Sequence, residues 1–505
     1  MTITDRLAST VASVLGEVGL EVRPSDVHLE RPQRLDHGDF STNAALVCAK
    51  AAGRPPRELA LELAGLLRAR PPEYVEGVEV AGPGFINFRL SPGWLYEVLA
   101  EVVTEGEEGY ARPDLGAGEK VQIEFVSANP TGPVHVGNGW FGSYGDALGR
   151  VMARCGWEVK SEYYVNDTGG QIRRLGESLL ARRRREAVAD DGYKGEYVAE
   201  LAERYDGPDD EVAAGRWAAE VILEQIKATL ESMGICFDEW FSQASIEESG
   251  KVEETITELR SRGHVFEEDS ALWLRTTAFG DSRDRVLVRS NGESTYLAGD
   301  LAYHRNKFVE RGFDRVIDVL GADHLGQVTS LKAGMEALGV SPGRLEIRIG
   351  QMVSLVGGRM SKRSGHYVAL STLIDQLGPD ATRLLSLMGS IDQQTTLDLD
   401  AVTRQSMENP VYYVQYAHAR VASIQRVASQ RSIEQQPLAS ADLALLTHPR
   451  ELELLRSLFD LPRVVSDAAT ERAPYKVTNW VRALAAGFHG FYHDCLVMGE
   501  GIDPE

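Results

Sequence analysis

Residues 120–165 constrain the fold more than any other stretch of this chain. KVQIEFV is a β-branched and aromatic run, SANPTGP is a loop, HVGNGWFGSYGDALGRVMARCG has helical spacing, and WEVKSEYYV again reads as a strand. Gly156 ends the helical stretch with the residue best suited to a left-handed C-cap. Strand, helix and strand in so short a span make a βαβ unit, and such a crossover joins parallel strands. A second unit runs from RVIDVLGAD through LGQVTSLKAGMEALG to LEIRIGQMVSLV. The expectation is an α/β, doubly wound parallel sheet with a ligand crevice at the strands' carboxyl ends.

The flanking sequence has a different character. Residues 1–110 read as a separate α+β unit: a helical first twenty residues, a second helix opened by Pro55-Pro56, and two strands around the Gly-Pro-Gly of VEGVEVAGPGFINFRL. RPDLGAGEK reads as the linker that follows. The core is then expected over 111–370, with an insertion at about 175–290 that is helical first and β-rich later; Asn291-Gly292 marks a hairpin turn. From 371 to 505 the pattern is helical, broken by the polar stretch QRSIEQQPLASAD.

With 505 residues there is ample material for several cores, and the four cysteines form no CxxC pair. Neither a disulfide framework nor a structural metal is expected, and a reducing, cytoplasmic setting fits. No secretion signal or membrane-length apolar run is evident, so no membrane partner is expected. A net charge of −22 argues against a protein that coats nucleic acid by bulk attraction, but a local basic groove can still bind RNA.

Two segments carry chemistry: PTGPVHVGNGW (130–140) and GGRMSKRSG (357–365), each at the end of an expected strand. His135 and Asn138 sit at a helix start, where free backbone N–H groups favour an anion. Gly137 and Gly139 would let a flat base approach the backbone. Lys362 offers a mobile cation for charge that develops in a transition state, flanked by Arg359, Met360, Ser361 and Arg363. Either segment alone is a short pattern of the kind that arises by chance; their order and their placement on the same sheet give them weight.

HVGN resembles the HIGH signature of class I aminoacyl-tRNA synthetases, and RMSKR resembles their KMSKS signature. EFVSANPTGPVHVGN, EYYVNDTGGQI, TYLAGDLAYHRNK, GADHLGQ and NPVYYVQYAHAR narrow the likeness to arginyl-tRNA synthetases, and it extends over nearly the whole chain. The resemblance implies a Rossmann-like catalytic domain between an N-terminal tRNA-contacting domain and a C-terminal all-α anticodon-binding bundle. It implies L-arginine, ATP with Mg²⁺ and tRNA(Arg) as substrates, no DNA partner, and a monomer. His135, Asn138 and Lys362 would then be catalytic. Gly137, Gly139, Arg359, Met360 and Ser361 would hold ATP, and Glu124, Asn129, His135, Tyr296, Asp300 and Asp323 would hold arginine. That acidic set suits a guanidinium, a planar cation best met by carboxylates and hydroxyls.

Asn138 replaces the second histidine of HIGH, Trp140 stands where an arginine is common, and Arg359 replaces the first lysine of KMSKS. The family usually adds a further helix after FHGFYHDC, whereas this sequence stops at LVMGEGIDPE; a shortened bundle is expected. Arg182–Arg185 form a basic run that reads as a solvated helix face or as a contact to the tRNA acceptor stem. Tyr412, Tyr413 and Tyr416 are core residues or base-stacking platforms. Two other readings remain: a synthetase-like RNA-binding protein without charging activity, and a class I ligase for another amino acid.

Overall fold

Alternation along three strands decides the centre of the fold. In β5 (Lys120–Glu124), β6 (Glu158–Val165) and β11 (Arg315–Gly321), Val121, Ile123, Tyr163, Val165, Ile317 and Val319 fall on one face, while Gln122, Glu124, Glu162 and Asp318 fall on the other. In the computed structural model, which describes residues 2–32, 34–351, 353–355, 368–397, 409–434 and 436–497, the apolar face meets helix α5 (Val136–Arg154). Leu148 and Met152 of α5 are fully buried there, at roughly 1.5–3 kcal/mol of hydrophobic stabilisation each. A Cβ on Gly145 would lie 2.1 Å from the Phe125 ring, so only glycine lets the helix sit this close to the strand.

The opposite face is covered by α11 (Tyr296–Arg305) and α12 (Leu325–Ala337), which completes the double winding. The five strands run parallel in the order β12-β11-β5-β6-β7, with β7 at Glu239–Ser242 and β12 at Leu345–Gly350. From β5 the chain steps outward through β6 to β7, then returns to the far side of β5 for β11 and β12. The switch point therefore lies between β5 and β11, and the crevice opens at their carboxyl ends.

Two expectations need refining. The stretch 175–290 is not wholly inserted, because β7 is the edge strand of the main sheet, paired with β6 from Glu162↔Glu239 onward. LEIRIGQMVSLV is also two strands. After β12, residues Val353–Leu355 (β13) pair with Thr395–Leu397 (β14) in a separate two-stranded sheet. At Asn291-Gly292 the chain does turn, with Gly292 at φ +85°, but the return strand is a single bridge, Val288↔Ser294, before α11 begins.

The chain divides into two units. This sheet and its helices belong to the larger, residues 111–421 and 461–485. The other comprises residues 1–110, 422–460 and the chain from Ala486 on. Its antiparallel sheet β1-β2-β4-β3, with β1 at Leu29–Glu30, β2 at Phe40–Thr42, β3 at Val75–Ala81 and β4 at Phe85–Leu90, packs on α1 (Ile3–Glu17) and α3 (Pro56–Ala69) through Leu7, Leu15, Leu59 and Leu63. Phe459 completes that core edge-on to Trp94, with centroids 5.0 Å apart. No helix among the described residues is long and apolar enough to cross a membrane.

In the larger unit Glu346 on β12 anchors the turn between helices Pro449–Thr470 and Tyr475–Asp494. Arg472, buried and at φ +57°, donates to Glu346 from Nη2 (2.9 Å) and Nε (3.1 Å); Arg315 adds a bond of 2.7 Å. The Arg472 carbonyl accepts from the Tyr144 hydroxyl of α5 at 2.9 Å. Burial pushes the Glu346 carboxyl up, but Arg472 and Arg315 prevail and hold it below its ordinary range. Glu346→Ala would leave the buried Arg472 without its carboxylate and cost about 2 kcal/mol, seen as an earlier midpoint in urea unfolding. Since the folded pKa is depressed, that contribution is present above the unfolded pKa and fades as pH falls, so variant and parent should converge in acid.

Candidate active site

The loop after β5 reverses sharply. Val126 (φ +71°) and Ser127 (φ +38°) are left-handed in succession, at about 1–3 kcal/mol of strain each. Local bonds hold the strained loop: Ser127 Oγ donates to Glu124 Oε1 (2.9 Å), the Tyr163 hydroxyl to the Ala128 carbonyl (2.7 Å), and the Tyr197 hydroxyl to the Thr131 carbonyl (2.7 Å). Glu124 is thereby fixed at the mouth of the crevice, buried at the strand's last residue.

His135 and Asn138 cap α5 reciprocally. His135 Nδ1 accepts from the Asn138 amide (3.3 Å), and Asn138 Oδ1 accepts from the His135 amide (3.1 Å). This is a capping box built from unusual residues. With Nδ1 an acceptor, the ring proton of neutral His135 resides on Nε2, a donor suited to an anion at the helix start. Asn138 supplies the cap acceptor in the position where the signature has its second histidine. At Gly139 a Cβ would lie 2.5 Å from Leu370, so that glycine serves close packing of α13 (Leu370–Leu377) on α5. Trp140 is buried with Val136, Val353 and Leu373, an apolar role that explains why no arginine stands there.

Arg359, Met360, Ser361, Lys362 and Arg363 lie outside the described residues. The chain on both sides of them meets the start of α5. Val353 packs against Val136 and Trp140, while Leu370 donates to the Val134 carbonyl (2.9 Å) and Val136 to the Val368 carbonyl (3.3 Å). The described chain before and after that stretch is thus tied to the HVGN segment.

The acidic residues fare differently from one another. Asp300, one turn into α11, is half-buried. Burial, against the pull of His304 and with Glu124 and Asp318 adding repulsion, pushes its carboxyl up to about 6. Tyr296 opens the same helix and is 78% exposed, at the rim. Asn129 donates to Gln171 (2.9 Å). Asp323 is exposed beside His324 (3.6 Å), and among the described residues no hydrogen bond or ion pair joins it to Glu124 or Asp300.

Sequence reasoning missed the partners of Glu124. Its Oε2 accepts from Lys307 Nζ (2.6 Å) and the Tyr303 hydroxyl (2.9 Å), and Lys307 also reaches Asp318 (3.1 Å). The signal was present in TYLAGDLAYHRNK, but a lysine on a helical stretch ordinarily reads as solvated. Of the candidate RNA contacts, Arg184 pairs with Asp209 (2.5 Å) and Arg182 and Arg183 bond the Lys194 and Gly207 carbonyls, so the basic run has local partners. Tyr412 stacks on Tyr416 at 5.8 Å with the Arg420 guanidinium 4.4 Å from the Tyr416 ring, and Tyr412 is exposed.

Comparison with known proteins decides the family. The arginyl tRNA synthetase N terminal domain matches residues 2–90, the catalytic domain of class I (R) tRNA synthetases matches 209–421, and the DALR anticodon binding domain matches 414–503. An arginine–tRNA ligase of Moorella thermoacetica is 43% identical over 99% of this chain and 91% of its own length. The chain belongs to the arginyl-tRNA synthetase family. A family member from Frankia alni is 43% identical over 99% of the chain and 92% of its own length. A crystal structure described as a putative arginyl-tRNA synthetase from Campylobacter jejuni superposes with a TM-score of 0.73 at 32% identity, over 82% of this chain and 93% of that one. The Thermus thermophilus arginyl-tRNA synthetase, at 23% identity, shares the fold over 99% of this chain and 93% of its own, with a TM-score of 0.74.

Proposed function

We infer that the protein is an arginine–tRNA ligase that activates L-arginine with ATP and transfers it to tRNA(Arg). The observation that carries the site assignment is the pairing, at one switch point, of a histidine-capped helix start suited to phosphate with an acidic pocket suited to a guanidinium.

In this reading the arginine carboxylate attacks the α-phosphorus of ATP in line, forming arginyl-adenylate and releasing pyrophosphate. No side-chain nucleophile is needed, and catalysis consists of positioning and charge stabilisation. His135 and Asn138 meet the α-phosphate and Lys362 the pyrophosphate. Gly137, Gly139, Arg359, Met360 and Ser361 complete the ATP site. Glu124, Asn129 and the Tyr296–Asp300 pair hold arginine, and Asp323 stands at the edge of the pocket. The 2′-hydroxyl of the tRNA terminal ribose then attacks the adenylate carbonyl, and AMP leaves. Mg²⁺ belongs to the ATP substrate.

The division of labour extends along the chain: residues 1–110 contact tRNA, 111–370 with the chain that follows them in the same unit carry the chemistry, and anticodon reading falls to the helical chain from about 414 rather than from 371. A monomer in the cytoplasm completes the reading. The test is aminoacylation of total tRNA with arginine, with lysine and citrulline as controls. Charging with arginine alone is expected, with ATP–pyrophosphate exchange that requires tRNA. Full-rate exchange without tRNA would contradict that requirement, and tRNA binding with neither activity would favour a non-catalytic RNA-binding protein.

A further inference from the structure

Three carboxylates stand side by side across the middle of the sheet. Glu162, Glu124 and Asp318 occupy one row of its register and are all buried. Adjacent strands lie about 4.8 Å apart. At that spacing, away from water, three like charges would drive one another to protonate unless cations met them.

The cations come from one short piece of chain: the end of α11, the π-helical turn Asn306–Glu310 that follows, and Arg311 just beyond it. Lys307, fully buried, bridges Glu124 (2.6 Å) and Asp318 (3.1 Å), with Nζ 4.2 Å from the centre of the Tyr303 ring. The Tyr303 hydroxyl lies within hydrogen-bond reach of both Glu124 and Glu162 and has one proton to give to either, and Arg311 pairs with Glu162. His304 donates from Nε2 to Asp318 (2.8 Å) and from Nδ1 to the Asp300 carbonyl (2.7 Å). Neither partner has a proton to give, so the ring is an imidazolium. Three anions thus meet three cations. Asp300 lies outside that balance: no hydrogen bond or ion pair reaches its carboxylate among the described residues.

Buried ion sets are a costly way to stabilise a fold, and apolar packing often does as well. What this set supplies is placement and charge count at the mouth of the crevice. We propose that Lys307 is the positioning residue of the arginine pocket: by occupying Oε2 it fixes the Glu124 carboxylate and leaves the Asp300 carboxylate, which has no hydrogen bond or ion pair among the described residues, to meet the guanidinium. The proposal rests on the reading of Glu124 and Asp300 as arginine ligands.

The test uses the full chain with tRNA present and follows arginine-dependent ATP–pyrophosphate exchange. Lys307→Met is expected to raise the arginine KM at least tenfold with the ATP KM within about twofold. The arginine KM should also gain a pH dependence near neutrality, as the uncompensated row takes up a proton. Lys307→Arg keeps the charge but displaces it, and should raise the arginine KM about threefold or more with the parent's pH profile. A merely structural lysine would lower the unfolding temperature or kcat and leave the arginine KM and its pH profile alone; that result overturns the proposal. Should Lys307→Met not fold, an unchanged arginine KM in Lys307→Arg overturns it equally. A parent enzyme without arginine-dependent exchange defeats the reading of the pocket itself, whereas an active parent matched by Lys307→Met defeats only the role of Lys307.

Discussion

Replacing His135 with asparagine is expected to lower kcat for adenylate formation by roughly 10²- to 10³-fold and to leave the fold intact. The two effects separate because His135 does two jobs. Its Nδ1 caps α5 by accepting the Asn138 amide. Asparagine is among the best N-caps, so the helix start persists, as does the reciprocal bond that Asn138 Oδ1 accepts from the residue-135 amide. The Nε2–H that would meet the α-phosphate has no counterpart in the shorter side chain. Steady-state exchange kinetics and thermal unfolding, measured on the same preparation, check this. A variant with parental kcat would remove His135 from the chemistry and leave it a cap. One that loses activity only in step with its unfolding temperature would show the cap to be its whole contribution.

Asp300→Asn should weaken arginine binding by about 3 kcal/mol, roughly a hundredfold in KM, yet make the protein more stable at neutral pH. The binding loss follows from removing the carboxylate proposed to meet the guanidinium. The stability gain follows from the elevated pKa, mainly a burial effect that takes Asp300 up to about 6. A carboxyl raised in the folded state is no burden below its unfolded pKa of about 3.8, where both states are protonated. As pH rises through the folded value, the unfolded chain ionises more readily and stability falls, by roughly 1–3 kcal/mol in all. The variant's advantage in unfolding temperature should therefore be present at pH 7.5 and vanish near pH 4. The same group gives the parent enzyme an arginine KM that climbs about tenfold per pH unit below 6, since the guanidinium requires the ionised form; that limb should be missing in Asp300→Asn. An unchanged arginine KM, or an acid limb that persists in the variant, would assign the guanidinium to another group.

How much of this was legible in the sequence depended on how local each signal was. The unit from Lys120 to Val165 could be read because strand, turn, helix and cap are written in consecutive residues, and Gly156 does close α5 at φ +89°. EWFS gave no hint that it forms β7, since four residues of mixed polarity acquire a strand's identity only from the neighbour they pair with. LEIRIGQMVSLV looked like one strand because nothing in its composition says where it leaves one sheet for another. His135 and Asn138 were singled out for the chemistry proposed for them, while their mutual cap emerged only from backbone geometry.

By itself, the sequence determined the class of fold and the family, and it singled out the side chains proposed to carry the chemistry, because those are properties of short segments and of residue types. The tertiary structure decided how the charges balance. Glu124, Glu162 and Asp318 come from strands far apart in the chain, and only the register of a parallel sheet sets them in one row. Lys307 reads as a surface lysine until the helical turn carrying it buries it between two of them. A carboxylate's pKa and availability depend on what lies within a few ångströms, and that is a fact about space that no order of residues states.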